Sequence, residues 1–161
     1  MRDLNDTLQR IAQHAQRQQL HVTTAESCTG GLIAKSITDR PGSSDWFEYG
    51  FVTYSNAAKT DLLGVDPQTI ESQGAVSDAT VRAMAEGALA RAGADYAIAV
   101  SGVAGPGGGT ANNPVGSVWI ACAGGGSTVS AHLQLDGDRT SIRERSALLA
   151  LQMLHDRMTS A

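Results

Sequence analysis

Residue periodicity switches back and forth along this chain between the two-residue step of a strand and the three- and four-residue step of a helix. That alternation leaves few folds open. Leu4, Leu8, Ile11, Ala12 and Ala15 recur at helical spacing, so a first helix starts at Leu4 and ends near Gln19. Residues 20–25 (LHVTTA) are short and β-branched and read as a strand, residues 26–31 as a tight loop, and LIAKSIT as a second helix. A turn cluster at residues 40–44 precedes residues 47–54 (FEYGFVTY), whose aromatic and β-branched content predicts another strand. Ser55 or Asn56 caps a short helix reaching Leu63, Pro67 opens another, and Ser77 or Asp78 caps a longer one over residues 79–92 that Gly93 closes. Residues 96–101 form a buried strand and residues 102–114 a Gly-rich loop. Residues 117–123 and 128–135 then pair as a hairpin through Gly124-Gly125-Gly126-Ser127. A last helix begins at Asp138 or Thr140 and turns Ile142, Ala147, Leu148, Leu151, Met153 and Leu154 inward. This alternation of six helices and five strands predicts an α/β sandwich, one domain over residues 1–161, with a mixed, partly antiparallel sheet flanked by helices.

Composition narrows the classes of function. Hydrophobic residues make up 42% of the 161 and charged ones 17%, which suits a folded core and not a disordered chain. A net charge of −4 supplies no general attraction for a polyanion, so neither nucleic acid nor an anionic membrane is expected as the main partner. Cys28 and Cys122 stand far apart without metal-ligand spacing, and the acidic residues form no paired ligand motif, so neither a metal nor another cofactor is expected. The polar N-terminal segment has no signal-peptide character and no run of about 18 apolar residues occurs, which predicts a cytoplasmic protein. A homo-oligomer stays open.

In folds of this kind the loops at strand ends gather to bind ligands, and three qualify: residues 26–31, 54–59 and 101–110. In the first, Ser27-Cys28-Thr29-Gly30-Gly31 places small hydroxyl side chains and backbone N–H groups at a helix start, an anion or oxyanion cradle. Ser27 or Thr29 acting only as a helix cap is the plainer reading, and Cys28 rivals Ser27 as nucleophile. In the second, Lys59 follows a strand-end cluster of Tyr54, Ser55 and Asn56, where partial burial would depress its pKa and make it a base. Only Lys35 and Lys59 are lysines, and no histidine lies in any of the three loops, although His21 or His132 could approach in space. In the third, the glycines would let backbone approach a ligand closely, with Pro106 and Pro114 stiffening the loop.

Taken together, the blocks TAESCTGG (residues 24–31), GFVTYSN (50–56), Lys59 with LLGV (62–65), GAVS (74–77), SGVAGPGGGT (101–110), PVG (114–116) and GDR (137–139) resemble the CinA C-terminal domain family. Its stand-alone members are nicotinamide-nucleotide amidohydrolases. The resemblance implies hydrolysis of the carboxamide of nicotinamide mononucleotide to nicotinate mononucleotide and ammonia, in pyridine nucleotide salvage, without a metal. It implies Ser27 as nucleophile, Lys59 as general base and Tyr54 as a helper that hydrogen-bonds within the pair. Thr29, Gly30 and Gly31 become oxyanion-hole candidates. Asn56, Ser101, Gly102, Gly105, Gly107, Gly108 and Thr110 are candidates for holding the substrate, with Arg139 or Arg143 on its phosphate. Ala111-Asn112-Asn113 departs from the charged stretch often found before the Pro-Val-Gly block. Two other readings are a non-catalytic nucleotide-binding regulator and an amidase that uses Cys28.

Overall fold

The structure, a computed structural model, describes residues 3–160. Its elements are α1 (Leu4–Gln18), β1 (Val22–Glu26), α2 (Leu32–Thr38), a 3₁₀ turn (Ser43–Asp45), β2 (Phe47–Val52), α3 (Asn56–Leu63), α4 (Pro67–Gln73), α5 (Asp78–Ala92), β3 (Tyr96–Gly102), β4 (Ser117–Gly124), β5 (Ser127–Gln134) and α6 (Arg139–Ser160). Local chemistry sets several boundaries. The Asp3 carboxylate accepts from the Asp6 N–H to start α1, and Ser55, Asp66 and Ser77 cap α3, α4 and α5 in the same way. The β4–β5 hairpin turns on Gly125 and Gly126, whose φ angles of 66° and 90° suit a primed two-residue turn.

One sheet holds all five strands in the order β2-β1-β3-β4-β5. β1 runs parallel to both β2 and β3, while β3–β4 and β4–β5 are antiparallel. The chain therefore leaves β1 toward one side for β2 and returns past it to the other side for β3. This reversal opens a crevice at the carboxyl ends of the parallel strands. α1, α2 and α6 cover one face and α3, α4 and α5 the other. Alternation along β3 feeds both cores: Tyr96, Ile98 and Val100 pack toward α1 and α6, and Ala97 and Ala99 toward α5. The small residues on the second face let α5 lie close to the sheet. Gly87 of α5 does the same for α3, because a Cβ there would overlap the Leu63 carbonyl.

The α/β architecture with a mixed sheet agrees with the sequence, and the differences are local. Strand β2 stops at Val52 and does not extend to Tyr54, since the carbonyls of Thr53 and Tyr54 turn away to meet a lysine. In α6, Leu148 and Met153 are half-buried, and Ala150 and Met158 complete the inward stripe. At 22 residues α6 outruns the sheet it packs on, so its stripe drifts around the helix.

Candidate active site

β1 delivers Ser27 to the crevice. The ladder continues one residue past the strand on each side: Ser27 N–H donates to the Val100 carbonyl at 3.0 Å, and Thr53 N–H donates to the Glu26 carbonyl at 2.9 Å. Ser27 is thus held at the level where β2 and β3 end. α3 brings Lys59 to the same point from the other face, with 1% of its surface exposed. Its Nζ lies 3.0 Å from Ser27 Oγ, 3.0 Å from the Thr53 carbonyl, 3.3 Å from that of Tyr54 and 3.5 Å from that of Ser55.

Burial pushes the Lys59 pKa below its ordinary value of 10.5. The carbonyls around it suit both protonation states. A neutral amine has two N–H groups for Thr53 and Tyr54 and a lone pair for the Ser27 hydroxyl proton. An ammonium offers its third N–H to Ser27 Oγ. This pair can take a proton from a nucleophile and hand it on without leaving a buried group unpaired.

Cys28 lines the same cavity, but burial raises its thiol pKa to about 11, so it stays protonated at neutral pH. That removes the driving force for a thiolate nucleophile. The two alternative bases are also placed elsewhere. His21 precedes β1, at the far end from Ser27, and faces Glu48 at 3.6 Å. His132 on β5 contacts the Ser117 hydroxyl at 2.8 Å.

The helix-start cradle is occupied by the protein itself. Glu26 is fully buried, and its carboxylate accepts from the N–H groups of Ile33 at 2.8 Å and Ala34 at 3.1 Å. Leu32 N–H donates to the Thr29 carbonyl and Gly30 N–H to that of Ser27. The N-cap residue of α2 is Gly31, and the side chain that caps its N–H groups is Glu26, neither Ser27 nor Thr29. Thr29 is itself inaccessible, and Thr29, Gly30 and Gly31 do not line the cavity. Of the loop residues that follow Ser27, the one that does line it is Cys28. An acid at the end of an otherwise uncharged strand, one loop before a helix, was the available sign of this cap. We expect Glu26→Ala to cost about 3 kcal/mol of stability, from two charge-assisted hydrogen bonds to buried donors. Denaturant unfolding measures this, and a loss below about 1 kcal/mol would contradict the capping role.

Tyr54 approaches the pair through its carbonyl. The residue is 61% exposed and its phenol oxygen accepts from Arg139 Nη2 at 3.2 Å, so the side chain does not hydrogen-bond within the pair. The cavity holds about 210 Å³ and is lined by Ser27, Lys59, Tyr54, Asn56, Ser101, Gly102 and Arg139, with Ala75, Val76 and Ala104 as walls. Those walls carry no chemical signature in the sequence. They are fixed by the Ser101 hydroxyl, which donates to the Ala75 carbonyl at 2.8 Å, and by Asn113 Nδ2, which donates to that of Val76 at 3.2 Å. A wider hollow of about 470 Å³ lies beyond Asn56 between α3 and α4, but it presents no paired nucleophile and base.

The Gly-rich loop reaches the cavity only at its stem. Gly102 is glycine because a Cβ would strike the Ser117 carbonyl and Val118 of β4, and Gly105 because one would strike Val115. These are close approaches within the protein. Gly107, Gly108 and Thr110 lie outside the cavity lining, and Thr110 closes a turn on Asn113 by two hydrogen bonds. The two arginines of α6 also separate. Arg139 lines the cavity and donates to the Gly105 carbonyl at 2.7 Å. Arg143, one turn on, does not line it and donates to the carbonyls of Cys28 and Thr29. Among the described residues no cluster of three or more His, Cys, Asp or Glu side chains has the arrangement to hold a metal, and no helix is long and apolar enough to cross a membrane.

Residues 4–158 match the family model of the CinA C-terminal domain. The chain is 58% identical over 132 residues to the nicotinamide-nucleotide amidohydrolase of Enterobacter agglomerans, an alignment covering 81% of this chain and 80% of that protein. It is 55% identical over 144 residues to a CinA-like protein of Akkermansia muciniphila, covering 89% of this chain but only 35% of that longer relative. The crystal structure of a competence/damage-inducible protein from Agrobacterium tumefaciens superposes with a TM-score of 0.94 at 44% identity, covering 99% of this chain and 97% of the other.

Proposed function

The chain belongs to the CinA C-terminal domain family, and from that premise we propose that it hydrolyses nicotinamide mononucleotide to nicotinate mononucleotide and ammonia through Ser27 and Lys59. It is an amidase. The observation that carries the mechanism is the 3.0 Å contact between the buried Lys59 Nζ and Ser27 Oγ. Neutral Lys59 takes the hydroxyl proton as Ser27 Oγ attacks the carboxamide carbon. The tetrahedral intermediate then collapses, the C–N bond breaks, and Lys59 passes the proton to the departing nitrogen, which leaves as ammonia. Water, deprotonated by the same amine, hydrolyses the acyl ester and restores Ser27. The positive pyridinium ring of the substrate would lower the Lys59 pKa further.

A cavity of 210 Å³ is smaller than the usual ligand cleft of about 300 Å³ or more, so the amide end enters and the phosphate stays at the rim. Arg139, which lines the cavity, would meet it there. Two of its five N–H donors hold Gly105 and Tyr54, and the others remain for phosphate oxygens. A regulator that only bound the nucleotide would have no use for a buried lysine against a serine.

The test is ammonia release from nicotinamide mononucleotide, its riboside and free nicotinamide. Losing the phosphate should lower kcat/KM by about 100-fold, the equivalent of about 3 kcal/mol of charge-assisted hydrogen bonding. EDTA should leave the rate unchanged. Equal efficiency on the riboside, or recovery of a chelated enzyme with zinc, would overturn this reading.

A further inference from the structure

We infer that Arg143 is a positioning residue for the nucleophile loop, and that it acts on the reaction without touching substrate. The inference rests on the amidase reading above. The Arg143 guanidinium reaches from α6 across to residues 115 and 114 positions earlier in the chain. Nε donates to the Cys28 carbonyl at 3.0 Å and Nη2 to the Thr29 carbonyl at 3.1 Å. Gly30 leaves room for it: at φ 59° this residue has no Cβ, and one placed there would stand 3.1 Å from Arg143 Nη2.

These two carbonyls belong to the turn that holds the nucleophile. Gly30 N–H closes the turn on the Ser27 carbonyl, and Leu32 N–H joins Thr29 to the start of α2. A trans peptide points its N–H opposite its C=O, so pinning the planes after Cys28 and Thr29 fixes the course of the turn. The Thr29 carbonyl that Arg143 holds shares its plane with the Gly30 N–H, and that N–H in turn holds the Ser27 carbonyl, in the plane between Ser27 and Cys28. That plane carries the Cys28 N–H, the donor adjacent to Ser27 on the one loop residue beyond it that lines the cavity. An oxyanion donor works only when its direction is set before the reaction, and nothing covalent sets it here. The Gly30 bond to the Ser27 carbonyl sets it, and the rigid fork of Arg143 keeps that bond in place with a geometry that a lysine's single ammonium cannot reproduce. Because Arg143 is engaged in this way and stays outside the cavity lining, it is Arg139 that is left for the phosphate.

The experiment compares wild type, Arg143→Lys and Arg143→Met on nicotinamide mononucleotide and its riboside, with kcat and KM measured separately. We expect kcat of Arg143→Met to fall about 100-fold on both substrates, the loss typical of an oxyanion donor, while KM changes less than about threefold. Arg143→Lys should recover part of that loss. A rise in KM confined to the phosphorylated substrate would make Arg143 a phosphate ligand and overturn the inference. So would unchanged kinetics in both variants. A second measurement does not depend on the substrate assignment: the rate at which a fluorophosphonate labels Ser27 should fall at least tenfold in both variants while melting temperature drops little in Arg143→Lys. Unchanged labelling overturns the inference even if wild type proves inactive on the nucleotide, which by itself would overturn only the amidase reading.

Discussion

Ser27→Ala is expected to reduce ammonia release from nicotinamide mononucleotide by about 10⁴-fold or more, while leaving substrate binding within a few-fold of wild type. The loss is this large because a nucleophile and its base act as a unit, so removing one member forfeits nearly all of the covalent pathway. Binding survives because Ser27 Oγ contacts Lys59 and the Tyr54 carbonyl, and the arginine at the cavity rim is untouched. Cys28→Ala supplies the contrast. Its thiol is protonated at neutral pH, with a pKa raised to about 11 by burial, so deleting it should change kcat less than about threefold and cost about 1 kcal/mol of packing. Thiol alkylating reagents should act slowly for the same reason. Rapid quenching followed by mass spectrometry should find the nicotinoyl ester on the peptide containing Ser27. Loss of activity in Cys28→Ala with survival of Ser27→Ala would transfer the nucleophile to the neighbouring residue.

Lys59→Arg should be nearly as inactive as Lys59→Met, each down by about 10³-fold or more, despite keeping the charge. Arginine stays protonated in proteins and cannot accept the serine proton. Lys35→Arg is the control, because Lys35 is exposed and paired with Asp39 at 2.7 Å on the outer side of α2. The rate of wild type should rise with pH through a single ionisation below 10.5, since burial holds the folded-state pKa down and only the neutral amine is active. Stability follows the same group. Between the depressed folded value and 10.5 the unfolded chain binds more protons than the folded one, so this residue makes stability rise with pH across that window. Below the folded pKa both states are protonated and the penalty for burying the charge is constant. Lys59→Met should flatten that rise in urea unfolding curves measured across the basic range. Substantial turnover by Lys59→Arg would refute the lysine base, and with His21 and His132 both outside the cavity lining it would require a base from solvent.

The elements were legible because each depends on its own residues. Periodicity, an N-terminal Ser or Asp and a closing Gly act within one turn of chain, and α1 through α6 and all five strands appear in the order that the sequence predicts. The proposed pair was marked in two ways: the family resemblance pointed to Ser27 and Lys59, and Lys59 is the one lysine in a strand-end loop. What the other side chains do was decided in three dimensions. Glu26 fills the helix start that looked open to an anion, because the strand ends exactly where its carboxylate can reach two N–H groups seven and eight residues on. Tyr54 serves the lysine through its carbonyl, since the end of β2 turns its backbone inward and leaves the ring to solvent. Glycines at 102 and 105 make room for β4 and Val115, which are adjacent only once the sheet has formed. Arg139 and Arg143, four residues apart on one helix face, differ in partners because the cavity edge passes between them. A side chain's chemistry is a property of its residue, but its partners are set by packing between segments far apart in the chain, and no local pattern records that.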